Sequence, residues 1–135
     1  MKKILLLLCA IGFLGFATAQ NADTLMGTYL KADGKSKVQF FKSGDTYSGK
    51  IVWLKEPADK NGNPKTDSKG KPLMGMIVIT NLKYDKDGTY IDGKCYRPVE
   101  NDEIKLKLKL LPDGILEVTG SKWGFSKTEK WKKQM

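Results

Sequence analysis

The side chains best suited to gripping a small molecule in this chain are aromatic. Tyr47, Gly49, Ile51 and Trp53 alternate along one run, and Trp131 lies in another near the C-terminus. Alternation puts Tyr47 and Trp53 on one face of a strand. Tyr and Trp join a large apolar body to a polar handle, a combination that suits a ligand pocket. Glu129 alternates in phase with Trp131, so an inward Trp131 brings with it a carboxylate that orients a ligand or sits at a rim. The competing reading is core packing, because the side chains of a small barrel can fill its interior.

Other chemistry is poorly served. The chain has no His, which excludes a Ser-His-Asp triad, a Cys-His dyad and His-ligated zinc or haem. Of the two Cys, Cys9 lies in an apolar N-terminal run. Cys95 has no His to activate it, and Lys94 points to the other face, so a buried inert thiol is expected. Asp59-Lys60-Asn61-Gly62-Asn63 offers alternating oxygen ligands. It lacks the glycine and glutamate spacing of a helical calcium loop, and Lys60 and Lys65 oppose a cation. No carboxylate pair is placed by spacing on one inward face, as glycoside hydrolysis would need. No catalytic residues, metal or cofactor are assigned, and the protein reads as non-catalytic.

The charge is basic: 24 Lys and Arg against 15 Asp and Glu, a formal net charge of +9. Nearly all of it is lysine, Arg97 being the only arginine. Nucleic-acid recognition favours the planar Arg fork, and none is expected here. Lys105, Lys107 and Lys109 would stand about 6.6 Å apart on one strand face. Such a row suits an anionic surface, whether lipid, polysaccharide or a protein partner. A solvated outer face that resists edge pairing is the simpler reading.

These side chains are positioned by short strands. Lys2 and Lys3, the apolar run Ile4 to Phe16 and the small-x-small site Ala17-Thr18-Ala19 form a signal-peptide pattern. Residues 1–19 are therefore expected to be removed, leaving one exported, soluble domain over 20–135 with a single thiol and no internal disulfide. Asp33-Gly34, Gly44-Asp45, Asn61-Gly62, Asp87-Gly88 and Asp113-Gly114 mark tight turns. Between turns, the spacing predicts about eight strands: Leu25 to Leu30, Val38 to Lys42, Tyr47 to Leu54, Met74 to Leu82, Thr89 to Tyr96, Ile104 to Leu110, Leu116 to Thr119 and Lys127 to Trp131. The clearest is Ile104 to Leu110, where Ile and Leu alternate with Lys. A helix over Ser121 to Lys130 is the alternative for the last part of the chain. The pattern suits a sandwich or a small antiparallel up-and-down barrel, and closure favours the barrel because it leaves no exposed edge. Lys55 to Pro72 is a long polar connection rich in Pro, Gly and charge, expected to bury little.

Several segments then resemble one family. They are Leu25-Met26-Gly27-Thr28-Tyr29, Tyr47-Ser48-Gly49-Lys50-Ile51-Val52, Gly62-Asn63-Pro64-Lys65-Thr66-Asp67, Pro72-Leu73-Met74-Gly75, Asp92-Gly93-Lys94-Cys95-Tyr96-Arg97-Pro98, Leu116-Glu117-Val118-Thr119-Gly120 and Glu129-Lys130-Trp131. In order and spacing they are similar to the exported bacterial domain-of-unknown-function family 2147. Tyr29 stands in place of a Trp and Arg97 in place of an Asp. The resemblance implies a lipocalin-like barrel and an envelope location, periplasmic or extracellular, and implies no activity. The resulting expectation is an exported, monomeric binding protein. It would hold a small, partly apolar ligand near Tyr47, Trp53, Trp131 and Glu129, or else meet an anionic surface through Lys105, Lys107 and Lys109.

Overall fold

The computed structural model describes residues 21–135; the expected signal segment 1–19, with Cys9, lies outside them. Alternating apolar and polar residues give eight strands: β1 Gly27–Leu30, β2 Ser36–Ser43, β3 Thr46–Leu54, β4 Ile77–Tyr84, β5 Thr89–Arg97, β6 Asp102–Leu110, β7 Ile115–Lys122 and β8 Phe125–Lys133. Each pairs antiparallel with the next, and β1 returns to β8 through Tyr29↔Lys133 and Leu30↔Lys132, closing an up-and-down barrel. The region Ser121 to Lys130 is a hairpin, not a helix, with Ser121↔Ser126 and Lys122↔Phe125 in register. Trp123 and Gly124 form its turn, both at positive φ, which a two-residue hairpin of this twist demands.

The two ends of the barrel differ. At one end the segment before β1 makes a single 3-10 turn, Ala22–Leu25, that folds under the barrel. Leu25 is fully buried there, and three tyrosine hydroxyls hold the turn. Tyr29 donates to the Leu25 carbonyl at 3.0 Å, Tyr90 donates to the Ala22 carbonyl, and Tyr47 donates to the Asp23 carboxylate. Above this plug, Phe40, Val38, Ile79, Leu82, Leu108 and Leu116 fill the interior. Edge-to-face ring pairs Tyr29–Phe40 and Tyr47–Tyr90 knit the core at centroid separations of 5.6 and 5.7 Å. Burial pushes the Tyr29 and Tyr47 hydroxyls up to about 12, in Tyr47 with help from Asp23, and raises Tyr90 further.

The opposite end carries the β1–β2, β3–β4, β5–β6 and β7–β8 connections. The β3–β4 connection reaches Met76, because Gly75 donates to Ile51 and Ile51 to Met76 before β4 begins at Ile77. Its polar composition hides an ordered, repeating construction. Asp59 Oδ1 accepts from the amides of Asn61 and Asn63, and eight residues later Asp67 Oδ1 accepts from those of Lys69 and Lys71. Two short bridges, Ala58↔Pro64 and Thr66↔Pro72, frame the turns. Asp67 is buried and takes a hydrogen bond from Tyr96 of β5 at 3.2 Å, while Leu73 and Met76 pack on the core. Asp67 thus anchors the segment to the barrel, while the rest of Lys55 to Pro72 stays largely exposed, in line with the expectation that it buries little.

Candidate functional site

The open end contains a cavity of about 380 Å³, walled by β5 to β8. Its floor is Leu106, Ile104, Val118 and Trp131, with Cys95 beside them. Gly120 faces it from β7; a Cβ there would meet the Ile104 Cδ1 at 2.7 Å and otherwise only ordinary contacts, so the missing side chain leaves room. β8 supplies Phe125, Lys127, Glu129 and Trp131 to the lining, the alternate residues of one strand face. Trp131 is buried, and its Nε1 donates to Glu129 Oε1 at 3.2 Å. The Lys31 ammonium lies 5.8 Å from the Trp131 ring centre.

Charge gathers at the rim. Asp102 accepts from Arg97 Nε and Nη2 at 2.7 and 2.6 Å and from Lys122 Nζ at 2.6 Å. The Arg97 hydrogen bonds first, and Lys122 second, hold its carboxyl well below the usual carboxylate range. Lys31, Arg97, Lys122 and Lys127 line the cavity against Glu129, and counting Asp102 leaves two positive charges in excess. Cys95 is half-buried, and desolvation pushes its thiol up, outweighing the opposing pull of Lys31 and Arg97. It therefore stays protonated at neutral pH and offers the cavity a small apolar surface.

The structure brings together only part of the expected aromatic set. Trp131 and Glu129 share the cavity. Tyr47 is buried at the other end, its hydroxyl committed to Asp23, so it belongs to the plug. Trp53 does not face inward. Lys37 pairs with Trp53 while Val38 pairs with Ile51, which leaves Val52 as an extra residue in β3. This bulge reverses the alternation, and Trp53 emerges 38% exposed beneath the Lys37 ammonium, 4.9 Å from the ring centre. Lys105, Lys107 and Lys109 stand exposed on the outer face of β6. Lys94 lies opposite Lys105, but Thr119 faces Lys107 and Glu117 faces Lys109, so the stripe is flanked by mixed chemistry.

Residues 27–133 match DUF2147, a family described as uncharacterized proteins conserved in bacteria. The chain belongs to this family. Among solved structures, the DUF2147 chain is similar to the protein HP1028 of the human pathogen Helicobacter pylori, described as belonging to the lipocalin family. The similarity has a TM-score of 0.65 at 23% identity, over 82% of this chain and 83% of that one. At that identity the likeness concerns the fold, and the DUF2147 chain is a lipocalin-like barrel. No curated protein matches it.

Sequence reasoning missed Lys31, Arg97, Lys122, Lys127, Phe125 and Gly120 as cavity residues. Arg97 carried a signal, as the single arginine of the chain. The others depend on which strands become neighbours.

Proposed function

We propose that this protein is an exported, monomeric, non-catalytic carrier of the bacterial envelope. It would hold a small, partly apolar ligand bearing an acidic group at the open end of its barrel. The observation that carries the reading is the cavity: an apolar floor of Leu106, Ile104, Val118 and Trp131 beneath a rim with excess positive charge. Its volume falls within the range of small-molecule sites. An apolar body would be held by the floor, and an acidic group would meet Lys31, 5.8 Å from the Trp131 ring centre, and Lys127, which it would draw away from a 3.9 Å approach to Glu129. Export is supported by the basic, apolar and small-residue pattern of residues 1–19.

Titration with the anionic aromatic probe anilinonaphthalene sulfonate tests this reading. Saturable fluorescence enhancement at one site is expected, lost in a Gly120→Leu variant that retains its β circular dichroism. Enhancement unchanged by Gly120→Leu would place the probe elsewhere and overturn the assignment of the cavity.

A further inference from the structure

The seam that closes the barrel is short. β8 is nine residues long but meets β1 through two pairs, Tyr29↔Lys133 and Leu30↔Lys132, with a further bond from the Gln134 amide to the Thr28 carbonyl. Past Leu30 the chain turns away from β8, its Lys31 amide bonding to Ser36 of β2, and β8 continues toward the open end without a neighbour on that side. Successive residues of a strand bond to opposite sides in turn. Gln134 bonds toward β1, and β8 pairs with β7 without a shift of register, so Ser126, Thr128 and Lys130 turn their N–H and C=O groups toward the missing strand. All three residues are exposed, and among the described residues no backbone bond reaches them from β1 or β2. A bare edge of this kind is a template for pairing with another strand.

The same gap is the missing side of the cavity. β5 to β8 wall it, and Lys31 is the one lining residue from outside those strands. Phe125, Lys127 and Glu129 line it from the overhanging part of β8. A strand laid along that edge would send alternate side chains into the cavity beside them. An extended backbone is the partner that offers donors and acceptors at the spacing of Ser126, Thr128 and Lys130. From Phe125 to Trp131 the overhang measures about 20 Å, the length of about six extended residues. Charge sets the rest of the chemistry. Lys127 approaches Glu129 at 3.9 Å and Lys130 lies opposite Glu117, whereas Lys31 is half-buried and makes no ion pair among the described residues. We propose that the ligand of this cavity is an extended peptide that adds a strand to the free edge of β8. Its apolar side chains rest on the floor beside Trp131, and a carboxylate meets Lys31. The proposal rests on the carrier reading above and names its ligand class.

The test is fluorescence polarisation with a pool of labelled synthetic hexapeptides that alternate Val, Leu or Phe with Thr and carry Glu at one end. A second pool has the same side chains with its backbone amides N-methylated, which blocks strand pairing and keeps the apolar and acidic groups. The parent should bind the first pool saturably and the second about tenfold more weakly or worse. Thr128→Pro removes an edge N–H while sparing the bonds to β7, at the loss of an exposed hydroxyl contact with Thr119. It should keep its β circular dichroism and its anilinonaphthalene sulfonate enhancement, yet bind the first pool about tenfold more weakly. Lys31→Met should weaken that pool as well, and unchanged affinity would overturn the carboxylate contact. Equal binding of the two pools, or parent-like binding by Thr128→Pro, overturns the strand pairing; if Thr128→Pro does not fold, the two pools decide alone. A parent that binds anilinonaphthalene sulfonate at the cavity and neither pool overturns this proposal and leaves the carrier reading standing, whereas a parent that binds none of the three removes both.

Discussion

Gly93 and Gly120 face the interior from different walls, and the same substitution should separate them. Neither has a left-handed backbone, so alanine fits both conformations. At Gly93 a Cβ would stand 2.5 Å from Leu82 Cδ2 and 2.8 Å from the Leu106 carbonyl oxygen. That oxygen belongs to the strand paired with Gly93 and cannot move without disturbing the ladder. Overpacking of this kind costs about 1–3 kcal/mol. At Gly120 the close neighbour is the Ile104 Cδ1, the free end of a side chain beside the cavity, and the next atom is 3.9 Å away. Replacing Gly by Ala also restricts the unfolded chain, stabilising by about 0.4–1 kcal/mol. Gly120→Ala should therefore be neutral within about 0.5 kcal/mol, whereas Gly93→Ala should be clearly destabilised, in urea titrations followed by circular dichroism. Equal losses in the two variants would refute the claim that open space lies beside Gly120 and a filled core beside Gly93.

Tyrosine protonation should govern alkaline stability. Tyr29 and Tyr47 are held near 12 in the fold, above the ordinary value of 10, so the unfolded chain releases its protons first. Their contribution is present below pH 10 and lost as pH rises toward 12; a melting temperature that stays flat across that window would contradict the plug. At the acid end, Asp102 and Asp67 are held below the usual carboxylate range. Their contribution is present above a pH of about 4 and is lost as pH falls further, which melting in acidic buffers checks. Asp67→Ala removes the anchor of the β3–β4 connection, and limited trypsin digestion should then cut at Lys65 or Lys69 while the barrel persists; an unchanged digestion pattern would show that the anchor is dispensable. N-terminal sequencing of the exported protein should read from Gln20, and a retained Met1 would contradict export by cleavage.

How much was legible depended on whether the signal was local. β6 reads directly from its sequence because Leu106, Leu108 and Leu110 meet the core on one face and the lysines meet water on the other. The turns at Asp33-Gly34, Gly44-Asp45, Asp87-Gly88 and Asp113-Gly114 read equally well, since each glycine takes a positive φ, whereas the Trp123–Gly124 turn carries no Asn or Asp to announce it. Trp53 failed because one extra residue, Val52, reverses the phase of β3, and strict alternation carries no sign of a bulge. Tyr47 is inward as expected, but its partner Asp23 lies 24 residues away in a turn that folds under the barrel. The cavity itself depends on strand order: Asp102 and Lys122 are 20 residues apart and meet because β6 and β7 are neighbours. In the long connection, composition suggested a loose polar segment, whereas two Asp-x-x-Gly turns spend their carboxylates on the loop's own amides.

On the reading proposed above, the space beside Gly120 and Trp131 holds a small molecule. Native mass spectrometry of protein purified from bacterial cells, parent and Gly120→Leu side by side, checks this without a surrogate probe. The parent should carry a non-covalent adduct that, once released, is partly apolar and acidic, while the folded variant should be bare. A bare parent, or the same adduct on both proteins, would contradict the account.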